Sequence, residues 1–239
     1  MSPLIKSPDS SDWDHYWKLQ ARGQKAYGFV ANLYRKYIIK GTLNQHVLRN
    51  FSENSLLLHA GSGSGEVDLD VCQTMEVVAI DFSSHALTTY TECHPDAKSL
   101  AQADIFRLPF PDATFDGVFN LGVMEHFNDV EMVIALNELR RIIKNNGRIL
   151  LFWPPRWGLS VFVLRSVHSI ARAIFKKELN LHPAELNLLK SRRHCRTFCS
   201  AAGLEIIGFQ FGPRDLFTHQ IVTLRPLLQA NGLTDNIIN

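Results

Sequence analysis

The chain has 239 residues, 46% of them hydrophobic, and a formal net charge of +2. That size and apolar content suit one large domain, or one domain with a helical insertion, and the near-neutral balance excludes strong attraction of the whole molecule to polyanions. The four cysteines, Cys72, Cys93, Cys195 and Cys199, show no CxxC spacing. Cys195 and Cys199 stand at i,i+4 beside His194, which reads as one face of a helix and not as a disulfide or a zinc site, so no metal is expected. There is no basic-then-apolar leader and no run of about 18 apolar residues, so the expected setting is a soluble, reduced, cytoplasmic one.

In chain order, residues 1–11 are polar and proline-bearing, and Ser11-Asp12 is a candidate helix cap. Trp13, Tyr16 and Trp17 then fall on one helical face. Residues 24–50 read as a second helical stretch, with Gly41-Thr42 as an interruption. Residues 1–50 form a helical cover, either packed on the core or acting as a lid with His15, Tyr16 or Tyr27 toward a substrate. Residues 55–58 are a short buried strand, and residues 66–72 a short helix with Val67 and Val71 inward. Residues 76–80 are a second strand, residues 84–92 a helix capped by Ser83-Ser84 and stopped by Pro95, and residues 99–103 a weaker third strand. A loop with two prolines, 108–112, leads to a fourth strand, 114–120. Val130, Val133, Ile134, Leu136, Leu139, Ile142 and Ile143 recur at helical spacing over residues 129–143, and Asn145-Asn146-Gly147 offers a left-handed terminator. Residues 148–153 are a fifth strand, after which Pro154-Pro155 breaks the pattern.

This alternation predicts a parallel sheet covered by helices on both faces. The insertion, residues 154–190, contains an apolar stretch (159–175) bearing Arg165 and Arg172, followed by Lys176 and Lys177. It can cover the core, dimerise, or lie on a membrane surface through residues 159–177. Residues 191–202 then read as a helix ended by Gly203, followed by strands at 204–209 and 217–224. With no helix between them, those two strands predict an antiparallel pair at the sheet edge.

The segment His59-Ala60-Gly61-Ser62-Gly63-Ser64-Gly65-Glu66 follows the first strand. Alternate glycines let backbone N–H groups approach a ligand, because no Cβ intervenes. The spacing is GxGxG, not the GxGxxG of a dinucleotide fingerprint. Asp81 ends the second strand, Asp104 follows the third and Asn120 ends the fourth, so four strands deliver a loop or a polar side chain to one rim. In open parallel sheets that rim binds ligands. Any one of these aspartates alone reads equally well as a helix N-cap.

Here the residues carry a resemblance. The stretches 57–65, Ala79-Ile80-Asp81-Phe82-Ser83, 103–110, 115–126 and 139–150, in that order, resemble class I (Rossmann-like) S-adenosylmethionine-dependent methyltransferases of the small-molecule type. The likeness covers residues 55–152 well and residues 191–224 more loosely. It implies a seven-stranded, mostly parallel α/β sheet with an antiparallel C-terminal pair and helices on both faces. The chain would then be one domain: helical cover 1–50, cofactor core 51–153, substrate cap 154–190, and a C-terminal helix and strand pair 191–239.

The resemblance also implies roles. Gly61, Gly63 and Gly65 would wrap the methionine and ribose of S-adenosylmethionine, and Asp81 would hold the ribose hydroxyls. Phe82 would lie against adenine, Asp104 and the Ile105 backbone would meet its edge, and the backbone at Asn120 and Leu121 would hold the methionine amine. Glu125 and His126 would line the mouth. His59 stands where the family usually has an acid. A neutral imidazole there can accept one hydrogen bond, while a protonated one repels a sulfonium. The expected reaction is in-line methyl transfer to a small-molecule, lipid-precursor or sugar-bearing acceptor. Its catalysis would come from positioning and desolvation, plus a general base where the acceptor is weak. His126 is the first candidate for that base, with His15 and His182 behind it. Trp13, Tyr16, Trp157 and Phe162 favour a partly apolar acceptor. The alternative is a non-catalytic binding module of the same fold. Nucleic acid is disfavoured, since there is no basic stripe interleaved with aromatics.

Overall fold

A computed structural model describes residues 8–21, 35–97, 99–156, 185–212 and 219–227. Seven strands form one sheet: β1 (Leu56–Ala60), β2 (Glu76–Asp81), β3 (Leu100–Gln102), β4 (Phe115–Leu121), β5 (Ile143–Trp153), β6 (Leu204–Phe211) and β7 (Gln220–Pro226). Their spatial order is β3-β2-β1-β4-β5-β7-β6. The first five are parallel, and β7 pairs antiparallel with both β5 and β6. The expected sheet and its antiparallel closing pair are therefore present.

Among the described residues the α-helices are α1 (Ser10–Ala21), α2 (Lys40–Asn50), α3 (Ser84–Cys93), α4 (Asp129–Ile142) and α5 (Arg192–Ala201). They divide the apolar core in two. On one face, Leu58, Val118, Ile149, Leu151 and Trp153 of the strands meet Met132, Leu136 and Leu139 of α4 and Phe198 of α5. On the other, Leu57, Phe119, Leu150 and Phe152 meet Leu43 and Val47 of α2, with Val67 and Val71. Each of these side chains is buried, an environment worth roughly 1.5–3 kcal/mol per large aliphatic residue.

Local expectations were corrected in several places. The first helix is capped by Asp9, whose Oδ1 accepts from the Ser11 and Asp12 backbone N–H groups, and not by Ser11-Asp12. Gly41-Thr42 does not interrupt α2; the irregularity is a π-helical turn upstream, Arg35–Ile39. Residues 66–72 are turns closed by a 3-10 turn at Val71–Gln73, although Val67 and Val71 do face inward. Val130 and Ile134 of α4 lie on its solvent side, since seven apolar positions are more than one buried stripe holds. That helix passes straight into β5 at Ile143, which is extended, so Gly147 is no left-handed terminator. The last strand begins at Gln220, later than expected.

Side-chain caps set where three of the other helices begin. Asn128 and Glu131 form a reciprocal capping box on α4, Ser83 caps α3, and Ser191 caps α5. Gly203 ends α5 with φ +66°. Cys195 and Cys199 lie on the buried side of α5 with sulfurs 3.6 Å apart. No helix among the described residues is long and apolar enough to cross a membrane. Residues 157–184, which include the 159–177 stretch, Trp157, Phe162 and His182, lie outside the described residues, as does Tyr27.

Candidate active site

β1 and β4 part where the site lies. Their paired register stops at His59↔Phe119, whereas β4 continues alongside β5 to Leu121↔Phe152. The strand order reverses between β1 and β4, so a crevice opens at their C-terminal ends. The glycine loop leaves β1 into it with Gly61, Gly63 and Gly65 all at positive φ (+74°, +55° and +72°). Their missing side chains matter for packing as well. A Cβ on Gly61 would stand 2.5 Å from Val123, one on Gly63 2.8 Å from Trp17, and one on Gly65 2.5 Å from Tyr90.

The loop is tied to the tip of β2. The Gly61 and Ser62 N–H groups donate to the Ile80 carbonyl, each at 2.9 Å. Asp81 accepts from Gly63 N at Oδ2 and from Ser83 N at Oδ1, also at 2.9 Å. Burial pushes the Asp81 carboxyl up, against the backbone N–H groups of Ser83 and Gly63 that favour its charge. Each oxygen keeps acceptor capacity for hydroxyl donors. Phe82 beside it is exposed, as a ring meant to lie on a ligand would be. Asp104 Oδ1 accepts from Phe106 N and Ile105 is buried, so this turn holds itself in place on the same rim. The proline loop beyond it is clamped to α4 by Arg141, which donates to the Phe110 and Leu108 carbonyls.

Behind the glycine loop lies a buried polar cluster that the spacing of residues did not reveal. Asp68, fully buried, accepts from His59 Nδ1 (2.5 Å) and the Tyr90 hydroxyl (3.0 Å) at Oδ2, and contacts His94 Nε2 (3.0 Å) at Oδ1. His94 Nε2 also donates to the Gly65 carbonyl at 2.8 Å. Burial disfavours the Asp68 charge, but the two histidines outweigh it and hold the carboxyl down at about 2. The same contact outweighs burial at His94 and raises it to about 10. Because Asp68 is ionised, Nδ1 of His59 is the donor, and in the neutral ring Nε2 is left as an acceptor. Ligand atoms of Asp68, Cys72 and His94 lie within 4.8 Å of one another, a donor set a zinc ion could use. Their hydrogen bonds already commit both Asp68 oxygens and the His94 Nε2 proton. One signal was available: Tyr90 and His94, polar and four residues apart at the end of a helix, needed an acceptor near the loop.

The fourth strand supplies the far wall. Asn120 is fully buried, and neither its amide nitrogen nor its amide oxygen has a hydrogen-bond partner. Ser62 Oγ and Glu125 Oε2 are likewise buried without partners. An unmet buried polar group costs about 1–3 kcal/mol, so these three, on the glycine loop, the end of β4 and the turn after it, are a standing offer to a polar ligand. They fit S-adenosylmethionine, which brings an amino acid and a nucleoside to such a crevice. Glu125 and His126 lie in a 3-10 turn, Met124–His126, both nearly fully buried. Burial, with some repulsion from Glu185, pushes the Glu125 carboxyl up to about 8.

The first helix crosses the whole mouth. Asp14 accepts from Ser83 Oγ at the β2 tip (2.5 Å), Trp17 covers Gly63, and Trp13 packs edge-on against His126 with centroids 4.8 Å apart. His15 is exposed. The chain returning at residue 185 closes the other side. Leu186 N and Asn187 N donate to the Glu125 carbonyl at 2.7 and 2.8 Å, and Trp153 Nε1 donates to the Asn187 carbonyl at 2.8 Å. The structure thus brings His59, the three glycines, Asp81, Phe82, Asp104, Ile105, Asn120, Leu121, Glu125 and His126 to one rim, and adds Ser62, Asp68 and Trp17.

Comparison with known proteins agrees with this geometry. Residues 58–151 match the family described as a methyltransferase domain. A probable S-adenosylmethionine-dependent methyltransferase of Mycobacterium tuberculosis is 32% identical over 101 residues, 42% of this chain and 36% of that protein. A demethylmenaquinone methyltransferase of Streptomyces griseus is 35% identical over 105 residues, 41% of this chain and 44% of that protein. The matched stretches span well under two thirds of these relatives. Among solved structures, an S-adenosylmethionine-dependent methyltransferase of Methanosarcina mazei superposes with TM-score 0.60 at 16% identity, covering 77% of this chain and 98% of that one. The magnesium protoporphyrin IX methyltransferase of Synechocystis, with bound S-adenosylhomocysteine, gives TM-score 0.61 at 14% identity, covering 90% and 94%. At those identities the likeness to solved structures is one of fold. The strand order, the glycine loop and the methyltransferase domain matched over residues 58–151 together support a class I S-adenosylmethionine-dependent methyltransferase.

Proposed function

We propose that the protein transfers a methyl group from S-adenosylmethionine to a small, partly apolar acceptor. The observation that carries this reading is the aromatic closure of the mouth by α1, with Trp13 on His126 and Trp17 on Gly63. A mouth narrowed by indole rings admits a flat or apolar small molecule more readily than a folded macromolecule. The named substrates of two similar proteins, demethylmenaquinone and magnesium protoporphyrin IX, are of that kind. In this reading Asp81 holds the ribose hydroxyls, Phe82, Asp104 and Ile105 frame the adenine, and the glycine loop wraps the sulfur. Asn120, the Leu121 backbone and His59 receive the amino-acid end. The binding-module alternative drew on His59. It loses ground because Asp68 restores a carboxylate directly behind that histidine.

The bound donor supplies a methyl group already activated on a cationic sulfur, so the protein's share is alignment, exclusion of water and removal of a proton. Two groups at the mouth can take that proton, His126 and Glu125. The test is a methyl-labelled donor offered with quinols, porphyrins, isoprenoid and glycan precursors, and separately with protein and transfer RNA pools. Label in the small-molecule fraction supports the reading. Label confined to protein or nucleic acid overturns it.

A further inference from the structure

Glu125 is a carboxyl group sealed into the mouth, bonded by its own backbone N–H and with one oxygen left over. Its side chain is 4% exposed and Oε2 has no partner. Oε1 faces Gly122, 3.5 Å from where a Cβ would stand, and lies 3.9 Å from His126 Nε2, too far for a hydrogen bond. The turn that carries it is fixed. Its carbonyl accepts from Leu186 and Asn187, and Asn187 is held in turn by Trp153 and by Asp129 (Nδ2 to Oδ1, 2.9 Å). The loop before it touches the glycine loop through Val123 and Gly61.

We propose that Glu125 is the base of the methyl transfer, and that arrival of the cationic donor is what ionises it. This rests on the placement of donor and acceptor given above. Among the described residues the charged groups around it are few. His126 is its neighbour on the turn, Glu185 approaches from the returning segment, Asp129 is engaged by Asn187, and α1 presents the uncharged ring of Trp13. Burial outweighs the one hydrogen bond from its own backbone N–H, so the carboxyl persists there as the neutral acid, with a value near 8. A positive charge entering the same desolvated crevice favours the carboxylate, so a proton leaves when the sulfonium donor binds. The thioether product lacks that charge and releases no such proton.

The step then balances. A lone pair of the acceptor forms the bond to the methyl carbon, the carbon–sulfur bond breaks with its electrons staying on sulfur, and Glu125 Oε2 takes the acceptor's proton. Donor cation and carboxylate disappear together, and the crevice holds no net new charge before or after transfer. The proton lost to water on binding is the one the overall reaction must release.

The test needs no acceptor. S-adenosylmethionine and S-adenosylhomocysteine are titrated calorimetrically into the protein at pH 7 in buffers of different ionisation enthalpy, using wild type, Glu125→Gln and His126→Gln. The donor's own amino group titrates alike in all three, so the difference between proteins counts the side chain's proton. Wild type is expected to release roughly half to one proton more than Glu125→Gln with S-adenosylmethionine, with no such difference for S-adenosylhomocysteine. His126→Gln is expected to keep the release. Equal release in wild type and Glu125→Gln overturns the proposal, as does loss of the release in His126→Gln alone. Failure of wild type to bind either ligand instead overturns the reading of the crevice itself.

Discussion

A histidine stands one residue before the end of β1 where an acid was expected, and the acid stands nine residues further on. Asp68 joins β1 through His59, the glycine loop through His94 and the Gly65 carbonyl, and α3 through Tyr90. Asp68→Asn leaves His94 buried without its counter-charge and is expected to cost about 3–5 kcal/mol, read as a lower urea midpoint. The pH dependence follows from the two shifts. The Asp68 carboxyl is depressed, so its stabilisation is complete above the ordinary carboxylate value and is lost as pH falls toward about 2. His94 is raised, so its contribution is complete below about 6.5 and is lost as pH climbs through about 10. Urea midpoints of wild type should thus hold a plateau between the two limbs and fall beyond it, and Asp68→Asn should flatten both limbs. A wild-type curve that matches the variant's on both limbs would remove Asp68 from the account. The sequence exposed Asp81 because it ends a strand at a set distance from the glycines. It hid Asp68 because residues 66–72 are turns, where no periodicity says which side chain points inward.

At the scale of elements, α1 is where sequence and structure complement each other. The face shared by Trp13, Tyr16 and Trp17 was readable from spacing alone, and their rings do pack edge-on in succession. What that face covers was not readable, because the partners lie far along the chain: Gly63, Ser83 and His126. A helix resting on a ligand loop gates the ligand as well as sheltering it. Trp17→Ala should therefore speed S-adenosylhomocysteine dissociation by about tenfold or more, the equivalent of about 1.4 kcal/mol, in a stopped-flow displacement. The urea midpoint should move less than for Asp68→Asn, since Trp17 is only half-buried. An unchanged dissociation rate would reduce α1 to a cover on the core.

Across the whole molecule, the crevice is the point where distant parts of the chain meet. Loops after β1, β2, β3 and β4, the helix at residues 10–21 and the return at residue 185 all converge there. The alternation of apolar strands and amphipathic helices made the parallel sheet legible, and two strands without an intervening helix made its antiparallel edge legible. The route of residues 154–190 was not, because a proline-broken apolar stretch with scattered cations fits several placements equally. Convergence of this kind couples ligand binding to global stability. A ligand that binds only the folded state at one hundred times its Kd adds about 2.7 kcal/mol, and for a domain of this size that corresponds to a rise in Tm of about 5–10 °C. S-adenosylhomocysteine should produce that rise in a thermal melt, and NAD at the same concentration should not, because GxGxG lacks the glycine spacing that admits a pyrophosphate. If the buried Asn120 amide and Ser62 hydroxyl are what the ligand satisfies, Asn120→Ala should bring most of that rise down while leaving the unliganded Tm near that of wild type. Removing an amide that bonds nothing in the free protein forfeits only its packing, whereas removing the same amide from the complex forfeits a hydrogen bond in a desolvated crevice. Loss of the unliganded Tm with the ligand's increment intact would mean instead that Asn120 serves the fold and not the cofactor.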